Sequence, residues 1–320
     1  FSASHWANID TIVYGARRDD AEKVGLGHNT IPVQAIKQLG NSPIALVEET
    51  LRAENVQLFD QWLATKGTPV TQSTQYDGIA HQFRQIKDSP VNTHITDYSF
   101  FTLIGERARG KAVLDLACGE GRYCRTLKQR GAARVVGVDI SAGMIKLAQA
   151  QERSERLGID YLCRDVLDLG TIGEFDLVVS SFLLNYAQTK EDLVTMCRTI
   201  FANLKPGGHF IALNENFNQA PQDFHGYAHY GYAKTMAEPY QEGGVITYTL
   251  STGTEELQFD GYYWSQETYQ MAFAAAGFQA IEVHDLRCSP HGIAEYGERF
   301  WQNFLTNPPF IGIVCRKCNS

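Results

Sequence analysis

Several things are missing from this 320-residue chain. No apolar run reaches the roughly 18–20 residues that a membrane-crossing helix needs. No basic stretch followed by an apolar one marks a secretory leader. Positive charge is in deficit: 28 Lys and Arg against 36 Asp and Glu leave a net charge of -8, which gives no electrostatic footprint for nucleic acid. The seven cysteines are odd in number and scattered through segments of strand and helix character. That usage fits reduced thiols in a cytoplasmic protein better than a disulfide framework. No internal repeat or low-complexity run occurs. The composition, 44% apolar and 20% charged, is that of a globular protein able to bury a core in one large domain or two.

What is present is concentrated in residues 113–141, VLDLACGEGRYCRTLKQRGAARVVGVDIS. The segment reads as a buried strand, a glycine-rich turn, a helix, a second strand and an acid. Asp139 follows Gly119 by twenty residues, which sets a carboxylate at the tip of the second strand. A carboxylate there accepts hydrogen bonds from both hydroxyls of a nucleoside ribose, so an adenosine-containing cofactor is expected. The alternation then continues. Strands are predicted near 112–117, 134–139, 159–164, 176–182 and 209–214, with helices at 121–130, 142–157 and 190–203 between them. KPGG (205–208) is expected to turn tightly into the fifth strand. Residues 217–264, rich in Tyr, Phe, His and Gly, break the pattern as an inserted cap. A helix at 266–276 and strands near 279–287 and 310–316 close the sheet.

Which cofactor follows from what the turn lacks. A dinucleotide fold carries G-x-G-x-x-G, whereas Gly119 and Gly121 precede Arg122, Tyr123 and Cys124, with no third glycine. Asp115, four residues ahead of Gly119, suits a ligand with a cationic amino-acid portion and would repel a pyrophosphate. On these residues the stretch 74–320 resembles the class I S-adenosylmethionine-dependent methyltransferases. LDLACGEG (114–121) is similar to their first motif, with Ala117 where a glycine is often found. VVGVDIS (135–141), CRDVLDL (163–169), FDLVVSSFLLNYA (175–187) and LKPGG (204–208) match the motifs that follow. The resemblance implies a Rossmann-like, doubly wound α/β sheet of seven strands with a cap insertion after strand five. It also implies S-adenosyl-L-methionine as cofactor, held by Asp115, Ala117, Cys118, Gly119, Gly121, Asp139, Ile140, Met144, Asp165, Val166 and Ser181. Asp139 would be the ribose acid, Met144 an adenine contact and Asp165 the partner of the adenine amino group.

Segments outside the cofactor loop, YDGIAHQF (76–83), LLNYA (183–187), FDGYYWSQETYQMAFAAAGF (259–278) and ERFWQNF with GIVCRK (298–317), resemble toxoflavin-type small-molecule N-methyltransferases. Methyl transfer from a sulfonium needs alignment and exclusion of water more than a strong base, and no His–acid or Cys–His arrangement stands near the motifs. Aromatic faces suit a sulfonium and a flat acceptor, which makes Tyr76, Tyr186, Tyr263 and Trp264 candidates, with Asn185 to orient an acceptor atom. The expected partner is a small heterocycle, neither nucleic acid nor membrane; a homodimer stays open. No metal is expected. His225 and His229 lack the intervening glutamate of a zinc-protease motif, and the CRKC pair (315–318) would need two more ligands. Two other readings remain: a methyltransferase-like fold that binds without catalysis, and a nucleotide-dependent oxidoreductase, which the missing third glycine disfavours.

Ahead of a polar linker at 65–73, residues 1–67 carry strand signals at 9–16 and 44–49. SASHWANIDTIVYGARRDDA (2–21) and LFDQWLATKG (58–67) resemble the C-terminal half of zinc-dependent guanine- or cytidine-type deaminases. Their H-x-E and P-C-x-x-C motifs are absent, so the segment is expected to be a truncated remnant without a zinc site. An upstream half would make the full protein a bifunctional deaminase–methyltransferase; an unrelated small domain is the other reading. The expected organisation is thus 1–67 deaminase-like, 68–110 a helical N-terminal cap, and 111–320 the cofactor-binding domain with its insertion at 217–264.

Overall fold

The computed structural model describes residues 11–13, 45–47, 89–251 and 256–318. The chain divides into two units, Phe1–Thr71 and Gln72–Ser320. In the first, β1 (Thr11–Val13) and β2 (Ala45–Val47) pair in parallel, with Ile12 opposite Leu46. The remainder of the deaminase-like stretch, and Tyr76 in the second unit, lie outside the described residues.

The second unit is built on a seven-stranded sheet. Five strands are parallel: β3 (Ala112–Leu116), β4 (Arg134–Asp139), β5 (Ile159–Cys163), β6 (Phe175–Ser181) and β7 (Leu204–Glu215). After β7 the chain forms a separate antiparallel sheet of β8 (Tyr232–Met236), β9 (Val245–Ser251) and β10 (Glu256–Tyr262). It then returns as β11 (Ile281–Asp285) and β12 (Phe310–Arg316), so that the large sheet runs β11-β12-β7-β6-β3-β4-β5. Strand residues alternate between two cores. Val113, Val135, Val179, Ile211 and Leu213 face one, while Leu114, Leu116, Val136, Val138, Phe210 and Ala212 face the other. A sheet buried on both faces needs apolar residues in both registers, which is why these strands read as continuous apolar runs.

Helices fill the crossovers: α1 (Tyr98–Ile104) ahead of β3, then α2 (Arg122–Gln129), α3 (Ala142–Glu155) and α4 (Lys190–Asn203) between the parallel strands. Their starts are written locally. Ser141 accepts a hydrogen bond from the Met144 amide, and Thr189 with Asp192 forms a reciprocal capping box. α5 (Gln266–Ala276) follows β10 behind the Ser265 cap. Two helices not anticipated from sequence, α6 (Pro290–Tyr296) and α7 (Glu298–Thr306), stand between β11 and β12 and bury Trp301 and Phe304. The KPGG turn is also placed differently. It is absorbed into β7 as an irregularity, the pairing stepping from Phe175–Leu204 to Leu177–His209. Gly207 takes φ 75°, and Lys317 exchanges backbone hydrogen bonds with Gly207 and Gly208, holding the kink against the C-terminal end of β12.

Candidate active site

The glycine turn joins β3 to α2 with three residues in the left-handed region: Ala117 at φ 61°, Gly119 at 55° and Gly121 at 81°. Only glycine takes this conformation without steric cost, so Ala117 is strained. At Gly121 the restriction is doubled, because an added Cβ would lie 2.3 Å from the Tyr161 hydroxyl. Asp139 at the end of β4 fixes the turn from across the sheet. Its Oδ2 accepts the Gly119 amide at 2.7 Å and its Oδ1 the Ser141 amide at 2.9 Å. A carboxylate oxygen has two lone pairs and can accept more than one hydrogen bond.

Above the carboxyl ends of β3, β4, β6 and β7 lies a partly open cavity. Strand carboxyl ends are where open α/β sheets bind ligands. Ala117, Cys118, Gly119, Asp139 and Met144 line one end. Asn92, Thr96 and Asp97 close over it from a wide π-type turn (Asn92–Asp97) that leads into α1. Asp97 is pinned by Arg122 and by the Tyr123 hydroxyl at 2.8 Å. Burial, followed by the Asp97 charge, pushes the Tyr123 phenol well above its ordinary value, so it donates to that carboxylate. The other end is an aromatic chamber with walls of Phe182, Phe259 and Phe310. Phe182 sits at φ 59°, a strained backbone for so bulky a residue, and its ring meets Phe310 edge-on at 4.8 Å.

The sequence candidates divide accordingly. Ala117, Cys118, Gly119, Asp139, Met144, Ser181, Asn185 and Tyr186 all line the cavity. Asp115 is not among its lining residues: it is 1% exposed beneath the turn and accepts the Cys124 thiol at 3.1 Å. Gly121 acts by letting Tyr161 approach, not by lining the space. Ile140, Asp165 and Val166 also lie off the described lining. Asp165 Oδ1 accepts the Leu167 amide, and the Val166 carbonyl accepts Thr199 Oγ1, so both help shape the loop after β5. Trp264 is drawn into the second core, where its Nε1 donates to the Ala187 carbonyl at 2.9 Å, and it is not among the described lining residues. Tyr263 packs against the first core and does not reach the described lining. His225 and His229 are not brought together as ligands. His229 lies against the Tyr230 ring, while His94 and His291 flank Glu295 at 3.5 and 3.3 Å, away from the cavity lining.

Sequence reasoning missed the polar floor of the aromatic chamber. Glu215, the last residue of β7, is 6% exposed and paired with Lys234 of β8, which is 1% exposed. Burial pulls the Lys234 ammonium down from the usual lysine value, and the Glu215 carboxylate opposes that pull. Lys234 also lies 4.0 Å over the Phe224 ring. Tyr232 and Tyr248, both buried, line the cavity beside Glu215. Burial, then the Glu215 charge, pushes both phenols well above the ordinary tyrosine value, which keeps them protonated. The strand-end rule would have found Glu215 had it been applied to the fifth strand as well as the fourth. Nothing in the local sequence marks the other three.

Residues 113–208 match the family model described as a methyltransferase domain. The chain is 30% identical to N-demethylindolmycin N-methyltransferase from Streptomyces griseus over 56% of this chain and 73% of that one. It is 31% identical to a ubiquinone biosynthesis O-methyltransferase of Chromobacterium violaceum over 44% of this chain and 67% of the relative. Among solved structures, an S-adenosylmethionine-dependent methyltransferase from Mesorhizobium loti superposes with a TM-score of 0.51 at 23% identity, over 72% of this chain and 99% of its own. The [4+2]-cyclase SpnF shares the fold too, with a TM-score of 0.52 at 17% identity over 78% and 96% of the two chains. The chain belongs to the S-adenosylmethionine-dependent methyltransferases, and S-adenosylmethionine is its cofactor.

The residues present fit that group. The turn offers a side-chain-free approach at Gly119, and Asp97 and Asp139 give the near end of the cavity the carboxylates a cationic ligand favours. The only arginine on the described lining, Arg122, is committed to Asp97, which leaves little to hold a pyrophosphate. No helix among the described residues is long and apolar enough to cross a membrane.

Proposed function

We propose that this chain transfers a methyl group from S-adenosylmethionine to a small planar heterocycle, at nitrogen, by alignment and desolvation without a strong general base. The observation that carries this reading is the continuity of the cavity from the Gly119–Asp139 end into a chamber walled by Phe182, Phe259 and Phe310. Asp139 would hold the ribose, Met144 the adenine face, and Ser181, Asn185 and Tyr186 the junction where donor and acceptor meet. The cofactor supplies an already activated methyl on a sulfonium. The protein's own task is to place a ring nitrogen in line with that methyl and to keep water out. Flat aromatic walls select a flat acceptor and stabilise positive charge passing between the partners. The N-methyltransferase named above as a relative supports nitrogen as the acceptor atom.

The fold alone does not dictate methyl transfer, because a [4+2]-cyclase shares it. A catalytically silent binding module is therefore the second reading, and an upstream deaminase half in a longer protein would add an activity that residues 1–67 do not carry. Calorimetry with S-adenosylmethionine, S-adenosylhomocysteine and NAD, followed by label transfer from methyl-labelled cofactor to a heterocycle panel, tests the assignment. Micromolar binding of the first two, none of NAD and labelled product are expected. Tight cofactor binding with no transfer to any ring would favour the silent module.

A further inference from the structure

The acceptor chamber contains more polar hydrogen-bonding capacity than the protein itself uses. Glu215 Oε1 is taken by Lys234, while Oε2 is buried with no hydrogen-bond partner. The Tyr232 hydroxyl and Asn185 Oδ1 are in the same state, the Tyr248 hydroxyl faces the Glu215 carboxylate without a formed hydrogen bond, and all four residues line one cavity. Buried polar atoms are normally satisfied, so four unsatisfied ones on residues that line one cavity call for a ligand that completes them. Their chemistry specifies it. A carboxylate oxygen and an amide oxygen accept; two phenols donate. The complement is a flat edge on which N–H donors alternate with carbonyl or imine acceptors. Phe182, Phe259 and Phe310 supply the apolar faces on either side of such an edge.

We propose that Glu215 is the specificity-determining carboxylate of the acceptor site, reading an N–H of a cyclic amide, urea or amidine ring while Tyr232 and Tyr248 bond the neighbouring acceptor atoms. This rests on the reading of the cavity as a methyl-acceptor site. Lys234 is a positioning residue. It pairs with one carboxylate oxygen and leaves the other for a ligand, and it does not reach the described lining itself. A fully N-alkylated ring would leave Glu215 buried against carbon and is rejected for that reason.

The test measures binding apart from turnover. The full-length chain is saturated with S-adenosylhomocysteine and titrated with xanthine against caffeine, with pteridine-2,4-dione against its 1,3-dimethyl derivative, and with catechol. Each N–H ring is expected to bind at least about tenfold more tightly than its blocked partner, equivalent to about 1.4 kcal/mol. The double variant Glu215→Leu/Lys234→Met replaces the ion pair with apolar residues of similar size and should fold. It is expected to lose that discrimination while keeping the wild-type melting temperature and S-adenosylhomocysteine affinity. Equal binding of blocked and unblocked rings by the wild type, binding of catechol alone, binding of no ring, or discrimination that survives in the double variant would each overturn the proposal. If N–H-dependent binding holds but no methyl is transferred to these rings, the reaction assignment fails and the role of Glu215 stands.

Discussion

The two ends of the cavity are built on opposite plans. At the cofactor end, polar groups are tied to the protein's own backbone and side chains: both Asp139 oxygens accept amides, and Asp97 is held by Arg122 and Tyr123. At the acceptor end, Glu215 Oε2, both phenols and Asn185 Oδ1 are buried without such partners. Each unsatisfied group costs on the order of 1–3 kcal/mol, so the acceptor chamber is held open at the expense of stability contributed elsewhere. On the proposed reading, a cofactor that is the same in every turnover would meet a loop held by the protein's own bonds, and choice among acceptors would fall to atoms satisfied only when the right ring enters.

The largest expected effect breaks the acceptor end. Lys234→Met should cost about 3–5 kcal/mol in denaturant unfolding, because it strands a buried carboxylate, and adding Glu215→Leu should recover most of that loss. A single variant as stable as wild type would show that the pair is not the buried anchor described. At the cofactor end, Gly121→Ala should cost about 2–4 kcal/mol through left-handed strain and overlap with Tyr161. Tyr161→Phe, which removes the hydroxyl 2.3 Å from the added Cβ, should restore part of it. Asp139→Ala should weaken cofactor binding by about 1.5–3 kcal/mol in calorimetry and leave the ratio of N–H to blocked acceptor binding unchanged. A change in that ratio would mean the two ends are not independent.

Smaller effects probe how the cap sheet is fastened. Glu242, between β8 and β9, is desolvated, which would raise its pKa. Hydrogen bonds from Lys190, Ser265 and Thr268 outweigh that and hold it at about 2 against an ordinary 4.5. Its folded value lies below the unfolded one, so its contribution is complete above about pH 4.5 and fades as the pH falls toward 2. Glu242→Gln should therefore lower stability at neutral pH by about 1 kcal/mol, discounted for partial exposure, and flatten the acid limb of the unfolding curve. The smallest change is Ala117→Gly. Relief of left-handed strain is offset by a more flexible unfolded chain, leaving between zero and about 1 kcal/mol of stabilisation and cofactor affinity at least that of wild type.

How much was legible follows the same division. The first five strands of the large sheet, and the glycine turn at Gly119 with Asp139 at the tip of the next strand, were readable because each depends on a motif spanning at most a few tens of residues. Asp115 was expected to support the cofactor site, by contact or by holding the loop in shape; the alternation of β3 buries it beside Cys124, off the cavity lining. Trp264 looked like an acceptor platform in a cap rich in aromatics. Nothing local could foretell that its indole N–H would find the Ala187 carbonyl, 77 positions away. Glu215, Tyr232 and Tyr248 carry no mark because their meaning lies in each other: the pairing of β8 with β9 sets Tyr248 opposite Lys234, and the Lys234 ion pair ties that sheet to Glu215 at the end of β7.

By itself the sequence determined the class of fold and the glycine turn with its strand-tip carboxylate, since backbone alternation and turn positions are enforced by local geometry. Only the tertiary structure decided the proposed acceptor site. A buried charge becomes a recognition group through what surrounds it: the Lys234 counter-ion, the loss of water and aromatic walls drawn from β10, β12 and the residue just beyond β6. Those conditions exist only once the chain has closed on itself.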